Sequence, residues 1–550
     1  MRRRGNHLGM ARLQARHSKF QRVADVVNSV SGETIKAVAS HLAKEGKVSD
    51  LTDDEKRVLE FLSHVNAVSS RVPGSQAAKL FVRGEIRSYF SHFGLPQLFF
   101  TFNPSAVHSP VFQVLYGDET VDLNSRFPKV PEYNERARRL ARDPDAAAQF
   151  YEFSFRVTFE HLFGWDFDKR CSKPGGGILG ILKAWYGVNE LTKRAMFHGH
   201  FMLWVALNTD PGRIRERMRE SEEFERRFFA YFDSTIYHHL PDADVSDVVF
   251  SDYEPRTEMP PTPPSDDKDD IARWKAECIE EVKKIGEKFQ RHECRQICHE
   301  YGHICDCRFL FPHDIVSASH YDRETESVRL RCLDPWVNWF NDTLLVYNRH
   351  NQDLKCILTG SGALSGMFYI SDYITKMEEK RHEVLSLLGD VVTDLSKFPS
   401  KTEMSPLEQA KRTLLRCVSK LHRRKEIHAQ QAARYLRGHD NAMRSHATVT
   451  MLSSVLLAKC RVMYLEGNSS ARSAQFGSDD ENDGIEVDPL LTFTVDDEGK
   501  VRDINQFHDY YFRGETLDHL NFYEFSRSVE REAVNAIQRP TARGLTVAIP

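Results

Sequence analysis

The most apolar stretch of the chain opens with two histidines separated by one residue. Apart from His198, Gly199 and His200, residues 197–207 are all apolar. This is strand length and falls well short of the ~18–20 apolar residues of a membrane helix. On a strand, residues i and i+2 project from one face, so the two imidazoles can chelate one divalent cation.

The plainer interpretation of this pair is two half-buried histidines on a sheet. Two polar rings in so apolar a strand nevertheless need a reason to lie together. Glu190, at the end of the preceding β-type run, could add a carboxylate. Two imidazoles and a hard oxygen, with open positions, suit Mg²⁺ or Mn²⁺ held against a phosphate.

Length and charge bound the classes of protein that remain. The 550 residues allow two to four domains, and the 41% hydrophobic fraction excludes a mostly disordered chain. With 75 Lys and Arg against 79 Asp and Glu, a nucleic-acid role has to rest on local patches. The sequence has no secretory signal and no membrane segment, so we expect an intracellular protein with reduced thiols and no membrane partner.

Residues 292–307 contain four cysteines and three histidines. Thiolates and imidazoles at this density predict a closed, tetrahedral, structural zinc site rather than unrelated reduced cysteines. The spacing matches no standard zinc finger, which leaves the choice of ligands open. We expect convergence of four residues, with Cys305 as the substitute for any one of them: His292, Cys294, Cys298 and Cys307.

Residues 368–376 place two tyrosines four positions apart. On a helix, Tyr369 and Tyr373 share a face, and Lys376 lies one turn further along. One interpretation is an amphipathic helix whose tyrosines pack in the core. The other is a pair of nucleophilic phenols, each able to form a phosphotyrosine. Because a free phenol has a pKa of about 10, that role requires a cation and a nearby positive charge.

A late segment with a helical pattern is strongly basic. Between Ser405 and His446 there are ten Lys and Arg and three acidic residues. A solvated helix face and a surface that follows a DNA backbone are about equally good interpretations. The residues that would contact DNA are Lys411, Arg412, Arg423, Arg424 and Lys425.

The secondary-structure pattern predicts the α+β class, because strand-length apolar runs alternate irregularly with helical patterns. Three runs should be strands of one sheet: Leu98–Phe102, Ile178–Val188 and Phe197–Leu207. Helical patterns cover 34–94, 146–163, 211–237 and 405–466. Five prolines among acidic residues between Ser251 and Asp270 predict a linker or an exposed loop.

In this order, the histidine pair, the cysteine cluster and the tyrosine segment resemble the N-terminal Rep-nuclease region of Helitron transposases. These are rolling-circle elements of eukaryotes, and the resemblance spans about residues 31–530. Further landmarks that look alike are 73–75 (Pro-Gly-Ser), 94–96 with 99–104, 307–312, 369–376, and 509–513 with 522–525.

The resemblance implies an HUH-type endonuclease. Its antiparallel sheet, flanked by helices, would carry the histidine pair and face the tyrosine helix, with N- and C-terminal helical regions and a small zinc-binding insertion. Such a nuclear enzyme nicks and rejoins single-stranded DNA through a 5′-phosphotyrosine in rolling-circle transposition. His198, His200 and Glu190 would hold Mg²⁺ or Mn²⁺. The nucleophiles would be Tyr369 and Tyr373, and Lys376 would balance phosphate charge.

Three positions depart from the family pattern. Gly199 stands where a bulky apolar residue is usual, Thr192 where a Gln is frequent, and Cys294 where a second His is usual. The phosphate-loop motif G-x-x-x-x-G-K-[ST] is also absent, so we expect any helicase to be a separate partner.

The alternative hypothesis is a catalytically decayed or domesticated single-stranded-DNA-binding module that retains the fold. A decaying copy would be expected to lose some of its catalytic residues. Both tyrosines and both histidines are present, which favours an active nuclease.

The resemblance and the composition together divide the chain into segments. We predict a basic arm (1–30), an N-terminal helical region (31–95), the first part of the nuclease core (96–250), a Pro-rich acidic linker (251–270), a zinc-binding insertion (271–330), the part of the core with the tyrosine helix (331–400), a basic helical region (401–475), and an acidic loop with a C-terminal segment (476–550).

Overall fold

Helices and strands are mixed along the chain, and the α+β class is confirmed. The computed structural model describes residues 9–10, 20–69, 72, 75–191, 196–207, 211–241, 254–296, 298–299, 307–325, 327–357, 380–398, 403–424, 427–448, 492–495, 501–504, 510 and 513–529. Among these residues, no helix is both long enough and apolar enough to span a membrane.

The helices, in chain order, are α1 Gln21–Ser29, α2 Gly32–Ala43, α3 Asp53–Ser69, α4 Gln76–Phe93, α5 Pro110–Leu115, α6 Tyr133–Arg142, α7 Pro144–Val157, α8 Pro211–Glu220, α9 Glu222–Thr235, α10 Lys268–Phe289, α11 Asp342–Asn348, α12 Arg381–Lys397, α13 Pro406–Arg424, α14 Ala429–Leu436 and α15 Phe522–Ser528.

The strands are β1 Leu98–Phe102, β2 Trp165–Asp166, β3 Cys171–Ser172, β4 Leu182–Leu191, β5 Phe197–Val205, β6 His320–Asp322, β7 Ser327–Arg329, β8 Asp353–Cys356, β9 Ala442–Arg444, β10 Thr492–Val495 and β11 Val501–Ile504.

The chain divides into two compact units. We call Val82–Lys376 with Glu426–His446 the sheet unit. Met1–Phe81, Met377–Lys425 and Ala447–Pro550 form the helical unit.

The sheet unit is built on five antiparallel strands in the order β8-β1-β5-β4-β9. The three predicted strands all belong to this sheet, and β1 has the predicted bounds. β4 begins later than predicted, at Leu182. The reason is the turn before it, where Gly176 and Gly180 have φ of +71° and +82°, a conformation that glycine adopts without strain.

Both faces of the central strands are covered. On one face, Phe201 stacks on Phe155 of α7, with ring centroids 5.5 Å apart. On the other face, Trp204 packs against Tyr89 of α4 and donates a hydrogen bond from Nε1 to Gly94 O at 2.8 Å. Because neither face meets solvent, β5 shows an almost continuous apolar run instead of alternation.

One strand lies in a segment that was predicted to be helical. The helical pattern over 405–466 is interrupted by β9, which pairs with β4 through Met443 opposite Gly187. Ser445 then extends the contact, since its Oγ accepts a hydrogen bond from Trp185 N at 3.0 Å. Three residues are too few to show the alternation that identifies a strand. The helical pattern of the residues around β9 therefore gave no sign of this short edge strand.

The first half of the described part of the predicted linker is packed: residues 254–261 are buried or half-buried, whereas 262–269 are mostly exposed. Glu258 is 3% exposed and pairs with Arg349 Nη2 at 3.1 Å. The same guanidinium pairs with Glu281 of α10 at 2.6 Å. The prediction of an exposed loop agrees with 262–269 and does not describe 254–261. Proline content reports local chain preference and does not reveal an ion-pair partner far along the chain.

The helical unit joins helices from both ends of the sequence. Buried apolar residues of α1, α2 and α3 form one core with those of α12 and α13. α2 and α12 approach closely, and a Cβ added to Gly32 would lie 2.8 Å from Gly389 O. Lys36 and Asp390 pair beside this crossing at 2.7 Å.

Candidate metal centres and nuclease site

Residues at the end of β4 and the beginning of β5 oppose one another across the sheet. Glu190 lies opposite His198, and Val188 lies opposite His200. Because side chains two residues apart share a face, Glu190 and both histidines project from the face that carries Trp204. The histidines therefore share one face of one strand, as their spacing predicts.

The three side chains are close enough to share a cation. The two imidazole centroids are 4.2 Å apart, and His200 Nε2 lies 4.0 Å from Glu190 Oε2. Burial lowers the pKa of His198 to about 4. Burial, and secondarily the neighbouring His198, lowers the pKa of His200 to about 2. Both rings are therefore neutral at neutral pH, and each keeps a nitrogen lone pair for a metal ion.

Asn103, just past β1, fixes the orientation of His198. Its Oδ1 contacts His198 Nδ1, and an amide oxygen only accepts hydrogen bonds. The proton therefore sits on Nδ1, which leaves the Nε2 lone pair available. A hydrogen bond to the second ring nitrogen is the usual support of a metal-binding histidine. On the neighbouring residue, the ring of Phe99 stacks against His200 at 5.8 Å.

Gly199 departs from the family pattern for a local reason. A Cβ at this position would lie 2.5 Å from the Tyr151 hydroxyl and 2.6 Å from the Phe201 ring. The Tyr151 hydroxyl, in turn, donates to Asn189 Oδ1. The volume that a larger residue would occupy is filled by these neighbours, so the glycine leaves the strand fully packed.

The proposed nucleophiles lie outside the described residues. Tyr369, Tyr373 and Lys376 fall within 358–379, as does the whole tyrosine segment. Their roles stay predictions.

Four of the predicted zinc ligands converge. One ligand atom from each of His292, Cys294, Cys298 and Cys307 lies within 4.8 Å of all the others. From His292 Nε2, the three sulfurs lie at 3.4, 3.7 and 3.2 Å, in that order. Tetrahedral bonds of ~2.0–2.3 Å require edges of about 3.6 Å, so the cluster fits a metal such as zinc. Cys305 lies outside the described residues.

The backbone around the cluster favours the thiolate of Cys307, whereas burial and the neighbouring Cys307 and Cys298 raise the pKa of Cys294 to about 11. Burial raises the pKa of Cys307, but hydrogen bonds from the backbone N–H groups of Phe309 and Phe311, together with contacts from Cys294 and Cys298, lower it below its ordinary value. Arg295 N likewise donates to Cys298 Sγ at 3.4 Å. The ring of Phe311 stacks on His292 with centroids 4.1 Å apart. These contacts order the ligands without occupying the space between them.

The predicted DNA-binding residues divide by exposure. Arg423 and Arg424 are exposed at the end of α13, whereas Lys411 and Arg412 are half-buried; Lys425 lies outside the described residues. Sequence reasoning missed Arg416 and Lys420, which are exposed on the same helix. The helical spacing of 416, 420 and 423 opposite the buried Leu414 and Val418 was the signal that could have identified them.

Sequence reasoning also missed Asn103 and Tyr151. Asn103 falls in the landmark 99–104 and Tyr151 in the helical pattern over 146–163, and neither pattern assigns them a role at the site. Each acts through a residue distant in sequence, so local pattern carries no sign of either contact.

Comparison with known proteins bears on the histidine motif alone among the three. No curated protein matches the chain. The family model described as the Helitron helicase-like domain at the N-terminus matches residues 2–203. The match includes Glu190, His198 and His200, and it ends before the cysteine cluster. Over residues 2–203, the chain is therefore similar to the Helitron helicase-like domain found at the N-terminus of that family.

Proposed function

We propose that this chain is a Helitron-type nuclease and strand transferase that acts on single-stranded DNA. The observation that carries the proposal is the placement of Glu190, His198 and His200 on one face at one end of the sheet. The family match supports it, because these residues belong to a Helitron domain.

The donor set suits a hard divalent cation. Two neutral imidazoles and one carboxylate leave coordination positions open for phosphate oxygens. Bound there, Mg²⁺ or Mn²⁺ would polarise the scissile phosphate. Asn103 holds the His198 ring in the tautomer that binds, and Phe99 shields one side of His200 from water.

The proposed reaction uses a tyrosine as nucleophile. The phenol oxygen of Tyr369 or Tyr373 loses its proton and attacks phosphorus, and the bond from phosphorus to the 3′ oxygen breaks. The 3′ oxygen takes up a proton, which yields a free 3′ hydroxyl and a 5′-phosphotyrosine. The second tyrosine would serve the second strand transfer, and Lys376 would balance phosphate charge.

The cysteine cluster has a different role in this proposal. A closed set of three thiolates and one imidazole leaves no position for substrate, so zinc there would stabilise the local fold. A nuclear location and a separate helicase partner follow from the Helitron assignment and are part of the proposal.

A cleavage assay on circular single-stranded DNA tests the proposal without knowledge of the target sequence. We expect Mg²⁺- or Mn²⁺-dependent conversion of circles to linear DNA, and a protein adduct on 3′-labelled fragments in a denaturing gel. His200→Ala should reduce cleavage at least 100-fold, about 2.7 kcal/mol of barrier, because the cation loses a ligand. The double change Tyr369→Phe with Tyr373→Phe should remove the adduct.

The matched control is His320→Ala, which removes an exposed histidine on β6 of the same unit and should leave cleavage unchanged. An adduct that persists in the double tyrosine variant would assign the nucleophile to another residue. DNA binding without any cleavage would instead favour the decayed DNA-binding module.

A further inference from the structure

The face of the sheet that carries the histidine pair, which we call the histidine face, continues across β1 to the edge strand β8. His200 lies opposite Thr101 of β1, and Thr101 lies opposite Asp353 of β8. Two residues away along the strands, Phe99 lies opposite Lys355. Because residues directly opposite one another share a face of the sheet, Asp353 and Lys355 project from the histidine face.

The packing of β8 agrees with this assignment. Leu354 is buried in the core on the α7 face of the sheet, together with Phe155. Ile357, just past the end of β8, packs instead against the core that contains Trp204, on the histidine face. Side chains alternate between the two faces along a strand, so Lys355 lies on the same side as Ile357 and the histidines.

Helix α4 covers the histidine face on the β4 and β9 side of the pair. Tyr89 of α4 packs in one core with Tyr186 of β4. Arg444 of β9 pairs with Glu85 of the same helix. On the opposite side, the side chain of Lys355 is 44% exposed. The histidine face therefore presents a cation to solvent at its β8 edge.

Lys355 is close enough to the histidine pair to contact the same DNA strand. β8 is two strand spacings, about 10 Å, from β5. A phosphodiester strand advances at least ~3.4 Å per nucleotide, so a phosphate within about three nucleotides of the one at the histidine pair can reach Lys355. Phe99 links the two positions, because it lies opposite Lys355 and its ring stacks against His200 with centroids 5.8 Å apart.

An acidic neighbour orients the ammonium group of Lys355. Its Nζ lies 2.9 Å from Asp353 Oδ2, and the backbone N–H of Asp353 donates to Thr101 Oγ1 at 2.8 Å. A partly exposed ion pair of this kind is weak, so a phosphate can compete for the ammonium. The plainer interpretation is a lysine that keeps an edge strand from pairing with other chains. Its place on the histidine face favours a contact with DNA.

We propose that Lys355 binds a backbone phosphate of the single-stranded DNA, a few nucleotides from the phosphate that is cleaved, and that Asp353 positions the ammonium for this contact. The inference rests on the proposed function, because it takes single-stranded DNA as the ligand and the histidine pair as the site of cleavage. Lys355 then sets where the strand lies and takes no part in the chemical step.

Two substitutions that change the charge in opposite directions test this contact. Binding of a labelled oligothymidylate of about 20 nucleotides is measured by fluorescence anisotropy at several salt concentrations, without divalent cations. Lys355→Gln should weaken binding about fourfold at ~0.15 M salt and lower the slope of log affinity against log salt by about 0.7, because one phosphate contact is lost. Asp353→Asn should strengthen binding, because the carboxylate no longer competes for the ammonium.

The matched controls are Lys169→Gln and Asp166→Asn, which change the charge of the sheet unit equally. Lys169 pairs with Asp166 of β2 at 3.7 Å, and the neighbouring Trp165 is buried in the core on the α7 face. Both controls should leave binding unchanged. Equal weakening by Lys355→Gln and Lys169→Gln would reveal a general charge effect. Weakening by both Lys355→Gln and Asp353→Asn would reveal a structural ion pair, and either result would overturn the contact.

The cleavage assay separates this contact from the proposed function. Lys355→Gln should raise the DNA concentration at half-maximal rate about fourfold and leave the rate at saturating DNA unchanged, because the phosphate it binds does not react. Cleavage by the unaltered protein together with unchanged binding in Lys355→Gln would overturn only the contact. Opposite effects of Lys355→Gln and Asp353→Asn without any cleavage would overturn only the nuclease. If the unaltered protein bound no oligothymidylate, both would be wrong.

Discussion

Single residues in the sheet unit show how much a position depends on its partners in space. Gly199 departs from the pattern that the family resemblance implies. Its neighbours in space nevertheless require a glycine, because Tyr151 and Phe201 occupy the place of a side chain. The histidine pair could be identified from its spacing together with its apolar setting. Asn103, which sets the tautomer of His198, could not.

The buried His238 predicts that the protein loses stability in acid. His238 is 0% exposed and lies between Trp339 and His313, with ring centroids 4.0 and 5.1 Å away. Burial, followed by the neighbouring His313, lowers its pKa to about 3. Between about pH 6.5 and about pH 3, the unfolded chain binds more protons at His238 than the folded chain does. The contribution of His238 to stability is therefore complete above this window and is lost as the pH falls through it.

The variant His238→Leu should lose less stability in acid. From about pH 7.5 to about pH 5, its free energy of unfolding should decrease by about 2 kcal/mol less than that of the unaltered protein. Urea titrations followed by tryptophan fluorescence measure this difference. His320→Leu, on an exposed histidine, serves as the control, and an equal loss in all three proteins would contradict the assignment.

At the scale of elements, the four residues of the metal cluster lie on loop segments, which a bound metal would hold together. Residues 290–296, 298–299 and 307–313 have little regular structure, so bound metal would supply much of their order. We expect about one zinc per chain by elemental analysis. Cys298→Ser should lower zinc content to near zero and speed amide exchange in this loop, whereas Cys171→Ser, on the exposed β3, should change neither. Full zinc retention in Cys298→Ser would exclude this residue as a ligand.

Strands with long apolar runs were predictable from the sequence, and short edge strands were not. The apolar runs of β1, β4 and β5 identify the centre of the sheet, because strands buried on both faces contain little but apolar residues. β8 and β9 form the edges with four and three residues, and their place depends on the partners they pair with. Likewise, the four residues of the cluster could be identified by residue type, while their convergence depends on the path of the chain.

At the scale of the whole molecule, a net charge of −4 requires any DNA surface to be local. The exposed basic stripe Arg416, Lys420 and Arg423 on α13 is such a surface. Changing Arg416 and Lys420 together to Gln should reduce the slope of log affinity against log salt by about 0.7 per lost phosphate contact. Fluorescence anisotropy at several salt concentrations measures this slope. Lys56→Gln on α3 is the control. An unchanged slope in the double variant would show that the stripe is an ordinary solvated helix face.

The position of β9 in the sequence has a consequence for synthesis of the protein. β4 ends at Leu191, yet the strand that covers its free edge ends at Arg444. A ribosome adds ~5–20 residues per second, so on the order of ten seconds or more separate the two. Throughout that interval the growing chain exposes unpaired N–H and C=O groups along β4, which can pair with a neighbouring nascent chain. Slow translation lengthens this exposure, and chaperones that bind extended segments shorten it.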